Sequence, residues 1–229
     1  MTLSNLRAAI FDFDLTLVDS RLGFADSHAY AIRALGLPDD AAKIEESTAL
    51  IGVPLPDAFR LLFPAHEALT DAYVQVWQAR ADAVMTDLTS VLPGAVDAIR
   101  SLRDAGLALG IVSQKRRYRI EAVLRREGLL SAFEVIVGGD AAGFKPDPGG
   151  LLLAMKRLGV APEASIYAGD TVIDAETARR AGVPFVAILT GFATRADFAG
   201  YKPLALLDSV GELPAALGLD AMLEPEAAL

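Results

Sequence analysis

The amino-acid sequence predicts an α/β fold: a three-layer core built on a parallel sheet, with a small all-α domain inserted near the N-terminus. Through most of the chain, short apolar segments alternate with amphipathic helical segments, which is the pattern of βαβ units. Residues 19–88 interrupt this alternation with helical patterning alone. The length of 229 residues accommodates one core domain with a smaller insert.

Five short apolar segments have the composition of buried strands. Each is bounded by Gly, Pro or Asp, and several contain β-branched residues, as expected for parallel strands that are covered on both faces. The predicted strands are 8–13, 107–112, 135–137, 165–168 and 185–189.

Amphipathic helical segments separate these strands, and each ends at a glycine. Pro93 opens a segment in which Val96, Ile99 and Leu102 share one face, and Gly106 follows it. Proline is favoured at the first turn of a helix and glycine just after its end. Three later helical segments are closed in the same way by Gly128, Gly159 and Gly182.

The insert is predicted to be a separate helical domain. Helical patterning recurs at 29–35 and around 73–77, and no convincing strand lies between 19 and 88. Because the insert leaves the core directly after the first predicted strand, we expect it to form a cap over a site at that strand's end. The predicted domains are therefore a core of residues 1–18 and 89–229 and a helical cap of residues 19–88.

Composition and charge disfavour several classes of function. The formal net charge of −9 disfavours nucleic-acid binding, because basic surface supplies most of the affinity for the phosphate backbone. The chain has no Cys, which excludes disulfides, thiolate metal sites and Cys nucleophiles. The one basic cluster is interpreted as a solvated helix face, with Lys115 as a candidate exception because it adjoins a motif described below. The cluster comprises Lys115, Arg116, Arg117, Arg119, Arg125 and Arg126.

The sequence lacks the features of a membrane or exported protein. Its mean hydropathy of +0.37 comes from Ala and Leu spread along the chain, and no apolar run approaches the roughly 18–20 residues of a spanning helix. Residues 1–9 lack the apolar core and cleavage pattern of a signal peptide. We therefore expect a cytoplasmic protein without a membrane partner, and no sequence feature indicates an oligomeric state.

Polar side chains follow four of the five predicted strands. Because ligands bind outside the carboxyl ends of parallel strands, we expect these side chains to form one site. They are Asp12 and Asp14 at the end of the first strand, Ser113 at the end of the second, Lys145 beyond the third, and Asp170 at the end of the fourth with Asp174 one helical turn later.

These residue types suit phosphoryl transfer from a small-molecule phosphate ester. Asp12 can act as a carboxylate nucleophile that forms an acyl phosphate, and Lys145 can offset the repulsion between this anion and the phosphate. Asp12 and Asp170 can supply the carboxylates that Mg²⁺ prefers, with Asp174 steadying its water shell.

Asp14 and two hydroxyl residues complete the predicted chemistry. Asp14 lies two residues from Asp12, so both would point to the same face of a regular strand. It is placed to protonate the leaving alkoxide and then to deprotonate the attacking water. Thr16 and Ser113 offer neutral hydroxyl donors for the phosphate oxygens.

Taken together, these motifs resemble the haloacid dehalogenase superfamily, in particular its phosphoglycolate-phosphatase-like members with a helical cap. Asp-x-Asp alone would be a weak signal, but four motifs occur in the family's order and spacing, and the resemblance covers nearly the whole chain. The matching segments are 12–20, 111–115, 138–140, 144–148, 168–174 and 181–184.

The resemblance implies a Mg²⁺-dependent phosphatase with a Rossmann-like core. It would make Asp12 the nucleophile and a metal ligand, and Asp14 the acid/base and a metal ligand through its backbone carbonyl. Ser113 and Lys145 would hold the phosphate, and Asp170 would bind Mg²⁺ with Asp174 in support. The presence of Asp14 also separates this chain from the dehalogenases of the superfamily, which lack an acid/base there.

Two residues depart from the family pattern. Leu15 occupies a position that is usually Gly, and Gln114 one that is often Asn. Neither family residue supplies a required functional group. The departures are therefore expected to affect loop shape and substrate fit more than mechanism.

The predicted cap carries the expected determinants of substrate choice. Its segment 49–55 resembles the substrate-specificity segment of these relatives, which makes Gly52 a candidate specificity residue; the alternative is a helix that ends at Gly52. Acidic residues outnumber basic ones in the cap, which disfavours a sugar-phosphate mutase that must bind a second phosphate. His28 and His66 are interpreted as structural, because nothing ties either to a nucleophile or a metal.

Other functions fit these residues less well. Within the enzyme class, the alternatives are a nucleotidase, a pyrophosphatase and, last, a sugar-phosphate mutase. A phosphorylated signalling receiver is disfavoured because receivers are about half this size and carry their acceptor Asp on the third strand, whereas Asp12 follows the first. A non-catalytic phospho-ligand-binding protein is disfavoured because every catalytic position is filled.

Overall fold

In the part of the chain that the structure describes, eight strands form two sheets. Six of them form one parallel sheet in the order β5-β4-β1-β6-β7-β8, so that β1 lies between β4 and β6, and β2 and β3 form a separate pair. The strands are β1 (Ala8–Phe11), β2 (Val18–Asp19), β3 (Ser90–Val91), β4 (Ala108–Val112), β5 (Val135–Val137), β6 (Ser165–Gly169), β7 (Phe185–Ile188) and β8 (Ala205–Leu207).

The chain divides into two units, and the computed structural model describes residues 5–38, 41–141 and 143–219. The core unit comprises Met1–Val18 and Val91–Leu229, and the inserted unit comprises Asp19–Ser90. The inserted unit contains α1 (Arg21–Ala34), α2 (Ala41–Thr48), α3 (Leu55–Leu62) and α4 (Thr70–Val84). The core unit contains α5 (Ala95–Asp104), α6 (Arg117–Arg126), α7 (Gly149–Leu158), α8 (Val172–Ala181) and α9 (Leu213–Ala216).

Helices cover both faces of the six-stranded sheet. Successive residues of a strand point to opposite faces. Accordingly, Ala9 and Phe11 join a buried cluster with residues of α5 and α6, whereas Ile10 joins a second cluster with residues of α7 and α8. The core unit therefore has three layers around a parallel sheet, and the predicted α/β fold class is confirmed.

The individual elements follow the sequence closely, with differences at the ends and edges. All five predicted strands are present, but β1 ends at Phe11, so Asp12 and Asp14 lie in the loop that follows it. Gly106 and Gly128 come two residues after the ends of α5 and α6, with φ of +81° and +69°, as expected for helix-terminating glycines. The strand β8 was not predicted, because its three residues at the sheet edge, two of them partly exposed and Leu207 buried, carry no recognisable alternation.

The inserted unit has its own core, in which His28 is fully buried. Its Nδ1 lies 2.7 Å from the hydroxyl of Tyr73, and its ring stacks on Phe63. Burial lowers the pKa of His28 from 6.5 to about 4, so the imidazole is neutral at neutral pH. His66 is exposed in a short 3₁₀ helix. Across the described residues, none of the helices combines the length and apolar character required to cross a membrane.

Candidate active site

The predicted site residues converge at the carboxyl ends of three neighbouring strands. Phe11, the last residue of β1, is paired with Ile111 of β4 and Ala168 of β6. Asp12, Ser113 and Asp170 follow these strands directly. Lys145 reaches them from the segment between β5 and α7, and Asp174 lies in the first turn of α8.

Lys145 is the electrostatic centre of the site. Its ammonium donates hydrogen bonds to Asp12 Oδ1 at 2.7 Å and to Asp174 Oδ1 at 2.6 Å, and all three side chains are buried. A buried ammonium is stable only when charged partners replace its hydration. The two carboxylates more than offset the cost of burial and hold the pKa of Lys145 well above its ordinary value.

Three buried carboxylates form a group that fits a cation. Oxygens of Asp12, Asp170 and Asp174 lie within 4.8 Å of one another. Burial, opposed by Lys145, raises the pKa of Asp12 from 3.8 to about 6, and burial together with the charges of Asp174 and Asp12 raises that of Asp170 well above its usual range. The single ammonium of Lys145 therefore does not balance the three carboxylates, and an oxygen-preferring divalent cation would supply the missing positive charge.

The other predicted residues have partners at the rim of this group. Asp14 Oδ1 accepts a hydrogen bond from the Lys115 ammonium at 2.6 Å. The Thr16 hydroxyl donates to Asp170 Oδ1 at 3.2 Å, and Ser113 Oγ lies 3.4 Å from the backbone nitrogen of Lys115. The structure thus brings all seven predicted core residues to one edge of the sheet, with Thr16 paired to a carboxylate.

Gly52 lies in the inserted unit. It occupies the turn between α2 and α3 with φ of +96°, a conformation that favours glycine. The helix α2 ends at Thr48, four residues before Gly52. The alternative interpretation that a helix ends at Gly52 is therefore wrong. The contribution of Gly52 to specificity stays a prediction.

The loop after β1 adopts a strained conformation at Leu15. This residue, which stands where the family usually has Gly, has φ of +57° and is buried. A left-handed conformation costs a non-Gly residue roughly 1–2 kcal/mol. The backbone around it is held by hydrogen bonds from Leu15 N to Val18 O and from the Thr190 hydroxyl to Leu15 O. These two hydrogen bonds therefore hold Leu15 in the left-handed conformation.

Sequence reasoning missed Tyr167, which lies in β6. Its hydroxyl donates to the carbonyl of Val112 at 3.0 Å, lies 2.9 Å from Asp174 Oδ1, and accepts from Lys145 at 3.1 Å. Burial raises the pKa of Tyr167 well above 10, so the phenol keeps its proton. A signal was present, because a Tyr inside an otherwise apolar buried strand requires a partner for its hydroxyl.

Two other missed features hold carboxylates of the site. Thr171 caps α8 and donates to Asp174 Oδ2 from its backbone at 3.1 Å and from its hydroxyl at 2.5 Å. A Cβ added to Gly191 would lie 2.0 Å from Asp170 Oδ2, so this position has no room for a side chain. Thr171 therefore fixes the Asp174 carboxylate, and the missing side chain at Gly191 leaves room for the Asp170 carboxylate.

Known proteins are similar to this chain over most of its length. Residues 9–188 match the family model of the haloacid dehalogenase-like hydrolases. A phosphoglycolate phosphatase from Cereibacter sphaeroides (strain ATCC 17029 / ATH 2.4.9) is 35% identical over 190 residues, covering 80% of this chain and 85% of the relative. A relative from Dickeya dadantii (strain 3937), named probable phosphatase IndB, is 31% identical over 209 residues, covering 89% and 90%.

Solved structures agree with these sequence relatives. A hydrolase of the haloacid dehalogenase-like family from Streptococcus pneumoniae superposes with a TM-score of 0.83 at 26% identity, covering 93% of this chain and 98% of that one. The family resemblance predicted from the motifs is therefore confirmed on both sequence and structure. This chain belongs to the family of haloacid dehalogenase-like hydrolases.

Proposed function

We propose that this hydrolase cleaves a small phosphoglycolate-like phosphate monoester through an aspartyl-phosphate intermediate on Asp12, in the presence of Mg²⁺. One observation carries the proposal: the Lys145 ammonium bridges Asp12 and Asp174 in a buried carboxylate group at the end of the central strand. A buried nucleophile carboxylate beside a fixed cation suits attack on an anionic phosphate.

In the first step, an Asp12 carboxylate oxygen attacks phosphorus and forms an acyl phosphate. The bond between phosphorus and the ester oxygen breaks, and the carboxylic acid of Asp14 gives its proton to the departing alkoxide. Lys145 offsets the repulsion between Asp12 and the phosphate, and the Ser113 hydroxyl donates to a phosphate oxygen.

In the second step, the Asp14 carboxylate takes a proton from water. The resulting hydroxide oxygen attacks phosphorus, the bond from phosphorus to Asp12 breaks, and inorganic phosphate leaves with both side chains restored for the next turnover. Thr16 holds Asp170 through its hydroxyl; a role in phosphate binding would require it to exchange this bond for a phosphate oxygen.

The carboxylate group would hold the metal through Asp12 and Asp170, with the Asp14 backbone carbonyl as a further ligand and Asp174 in support. Bound Mg²⁺ would neutralise charge on the transferring phosphate and orient it. The chain's own contribution is to fix these oxygens: Thr16 and the space left by Gly191 orient Asp170, and Thr171 and Lys145 orient Asp174.

The substrate class rests on the relatives and on the residues together. Relatives that cover most of this chain are named phosphoglycolate phosphatases, which favours a small anionic monoester. Nucleotides, pyrophosphate and a second sugar phosphate are the alternatives, and the inserted unit with Gly52 is the part of the chain that would select among them. A panel of these esters, compared by kcat/KM, distinguishes the alternatives.

A single variant tests the covalent mechanism. The wild type with p-nitrophenyl phosphate and Mg²⁺ is expected to release phosphate, and Asp12→Asn is expected to lower kcat by at least about 10³-fold because the amide is not a nucleophile. Asp97→Asn, at an exposed position of α5, is the matched control and is expected to keep wild-type activity. Undiminished turnover by Asp12→Asn would exclude the aspartyl-phosphate intermediate.

A further inference from the structure

The Lys115 side chain differs from the basic cluster in which it lies. Its ammonium is buried, lies 2.6 Å from Asp14 Oδ1, and sits 5.9 Å from the centre of the Phe13 ring. By contrast, Arg117 and Arg125 are exposed and pair with Glu121 on the same helix. Lys115 therefore faces the candidate active site, whereas these arginines form an ordinary charged helix surface.

The backbone of Lys115 is held in place by a glycine-rich segment. Gly139 N donates to Lys115 O at 3.0 Å. A Cβ added to Gly138 would lie 2.8 Å from the same oxygen, so the segment passes close enough to fix the position of Lys115. From this fixed backbone position, the Lys115 side chain reaches Asp14, which lies 101 positions earlier in the chain.

We propose that Lys115 is a positioning residue that orients the carboxyl group of Asp14 for proton transfer. This inference rests on the proposed function. The Lys115 ammonium donates a hydrogen bond to Asp14 Oδ1. This leaves Oδ2 as the oxygen that gives the proton to the leaving alkoxide and later takes one from water. Because both partners are largely buried, the pair restricts the Asp14 rotamer far more than a surface ion pair would.

The positive charge of Lys115 also helps to orient the carboxyl group of Asp14. Asp14 and Asp12 are carboxylates two residues apart in the loop after β1, so their negative charges repel one another. An ammonium on the Asp14 side of the site opposes this repulsion. Loss of the ammonium would remove the contact that holds Asp14 Oδ1.

The two chemical steps allow a test that distinguishes loss of Asp14 positioning from a general loss of active-site structure. An ester with a good leaving group does not need an acid in the first step, whereas an alkyl phosphate does; both need the base in the second step. The variants are Lys115→Met, Lys115→Arg and Asp14→Asn, with the exposed Lys156→Met as matched control. The substrates are p-nitrophenyl phosphate and 2-glycerophosphate, each with Mg²⁺.

Lys115→Met is expected to produce a burst of p-nitrophenolate at a rate within about 2-fold of wild type, followed by slow turnover. With 2-glycerophosphate its kcat is expected to fall about 10- to 100-fold, because misplacement by an ångström costs this much, while KM stays within about 3-fold. Lys115→Arg should recover part of the loss, since it restores a cation. Asp14→Asn/Lys115→Met should equal Asp14→Asn, because residues that act through one group are not additive.

Several results would overturn the inference. Lys115→Met could slow the burst and the alkyl ester equally, or change neither, or make the double variant slower than Asp14→Asn; each would show that Lys115 does not act through Asp14. A melting temperature equal to that of Lys156→Met ensures that the comparison concerns folded protein, and Lys115→Arg repeats the comparison if the Met variant unfolds. An inactive wild type would overturn the proposed function itself, and the Lys115 inference with it.

Discussion

Tyr167 shows at the residue scale how one hydroxyl can organise a site. It contacts Lys145, Asp174 and the carbonyl of Val112, and Val112 immediately precedes Ser113. The hydroxyl therefore contacts the Lys145 ammonium, the Asp174 carboxylate and the end of the strand that precedes Ser113, a predicted phosphate ligand. Because a phenol has one proton to donate, it can fix only one acceptor fully, and the charged groups around it set which one.

Removal of this hydroxyl is expected to affect catalysis as well as stability. Tyr167→Phe should lower kcat about 10-fold with little change in KM, because Lys145 loses a fixed partner. The free energy of unfolding should fall by about 1–3 kcal/mol, since the Val112 carbonyl loses its side-chain donor in a buried site. Steady-state kinetics and urea unfolding measure both quantities, with Tyr201→Phe as the control. A variant with wild-type kcat would show that Tyr167 does not position Lys145.

At the scale of elements, the helices α1 and α4 meet across a buried imidazole. His28 of α1 lies against Tyr73 of α4 through one ring nitrogen, and its Nε2 has no hydrogen-bond partner among the described residues. A buried polar atom without a partner costs free energy. Aromatic packing between the two helices offsets this cost, with the rings of Phe24 of α1 and Trp77 of α4 edge-on at 5.2 Å.

The pKa of His28 predicts a pH-dependent stability. Its folded pKa of about 4 lies below the ordinary 6.5, so between these values the unfolded chain binds a proton that the folded chain does not. The contribution of His28 to the free energy of unfolding therefore falls as the pH falls, by about 2 kcal/mol between pH 7 and pH 5. The raised pKa values of Asp12 and Asp170 act in the opposite direction in every variant compared, so the His28 contribution is measured as a difference between variants. In urea unfolding at the two pH values, the change on acidification should be about 2 kcal/mol more unfavourable for wild type and for the exposed control His66→Gln than for His28→Phe. An identical change in His28→Phe would contradict the assignment.

At the scale of the whole molecule, the proposed metal site would couple cation binding to folding. Two of the three carboxylates directly follow β1 and β6 and the third lies in α8, so they meet only when the sheet is assembled. The unfolded chain has no such group, so a cation that binds there stabilises the folded state by mass action.

Mg²⁺ is therefore expected to raise the melting temperature. A concentration 100 times the dissociation constant contributes about 2.7 kcal/mol, which corresponds to a shift of roughly 5–10 °C for a chain of this size. Differential scanning fluorimetry with Mg²⁺ and after chelation measures the shift. Asp170→Asn should lose most of it, and the surface control Asp97→Asn should keep it. An equal shift in Asp170→Asn would place the cation elsewhere.

Most of the fold could be predicted from the sequence, because local patterns specify the strands and the ends of the helices. Strand segments such as 135–137 are continuous apolar runs, and helix ends are marked by glycines such as Gly159 and Gly182, both left-handed caps in the structure. The edge strand β8 was missed because an edge strand of three residues needs neither a long apolar run nor strict alternation. Its existence depends on pairing with β7, which is a tertiary event.

What the sequence determined by itself was the identity of the chemical groups at the strand ends. Their order along the chain, with the rule that parallel strands end at one edge, was enough to bring Asp12, Ser113, Lys145 and Asp170 together. Only the tertiary structure decided their partners. The hydrogen bonds from Tyr167 to Val112, from Thr16 to Asp170 and from Lys115 to Asp14 join residues 55, 154 and 101 positions apart. No local pattern encodes such contacts, because they depend on how the strands are ordered and how closely their loops approach.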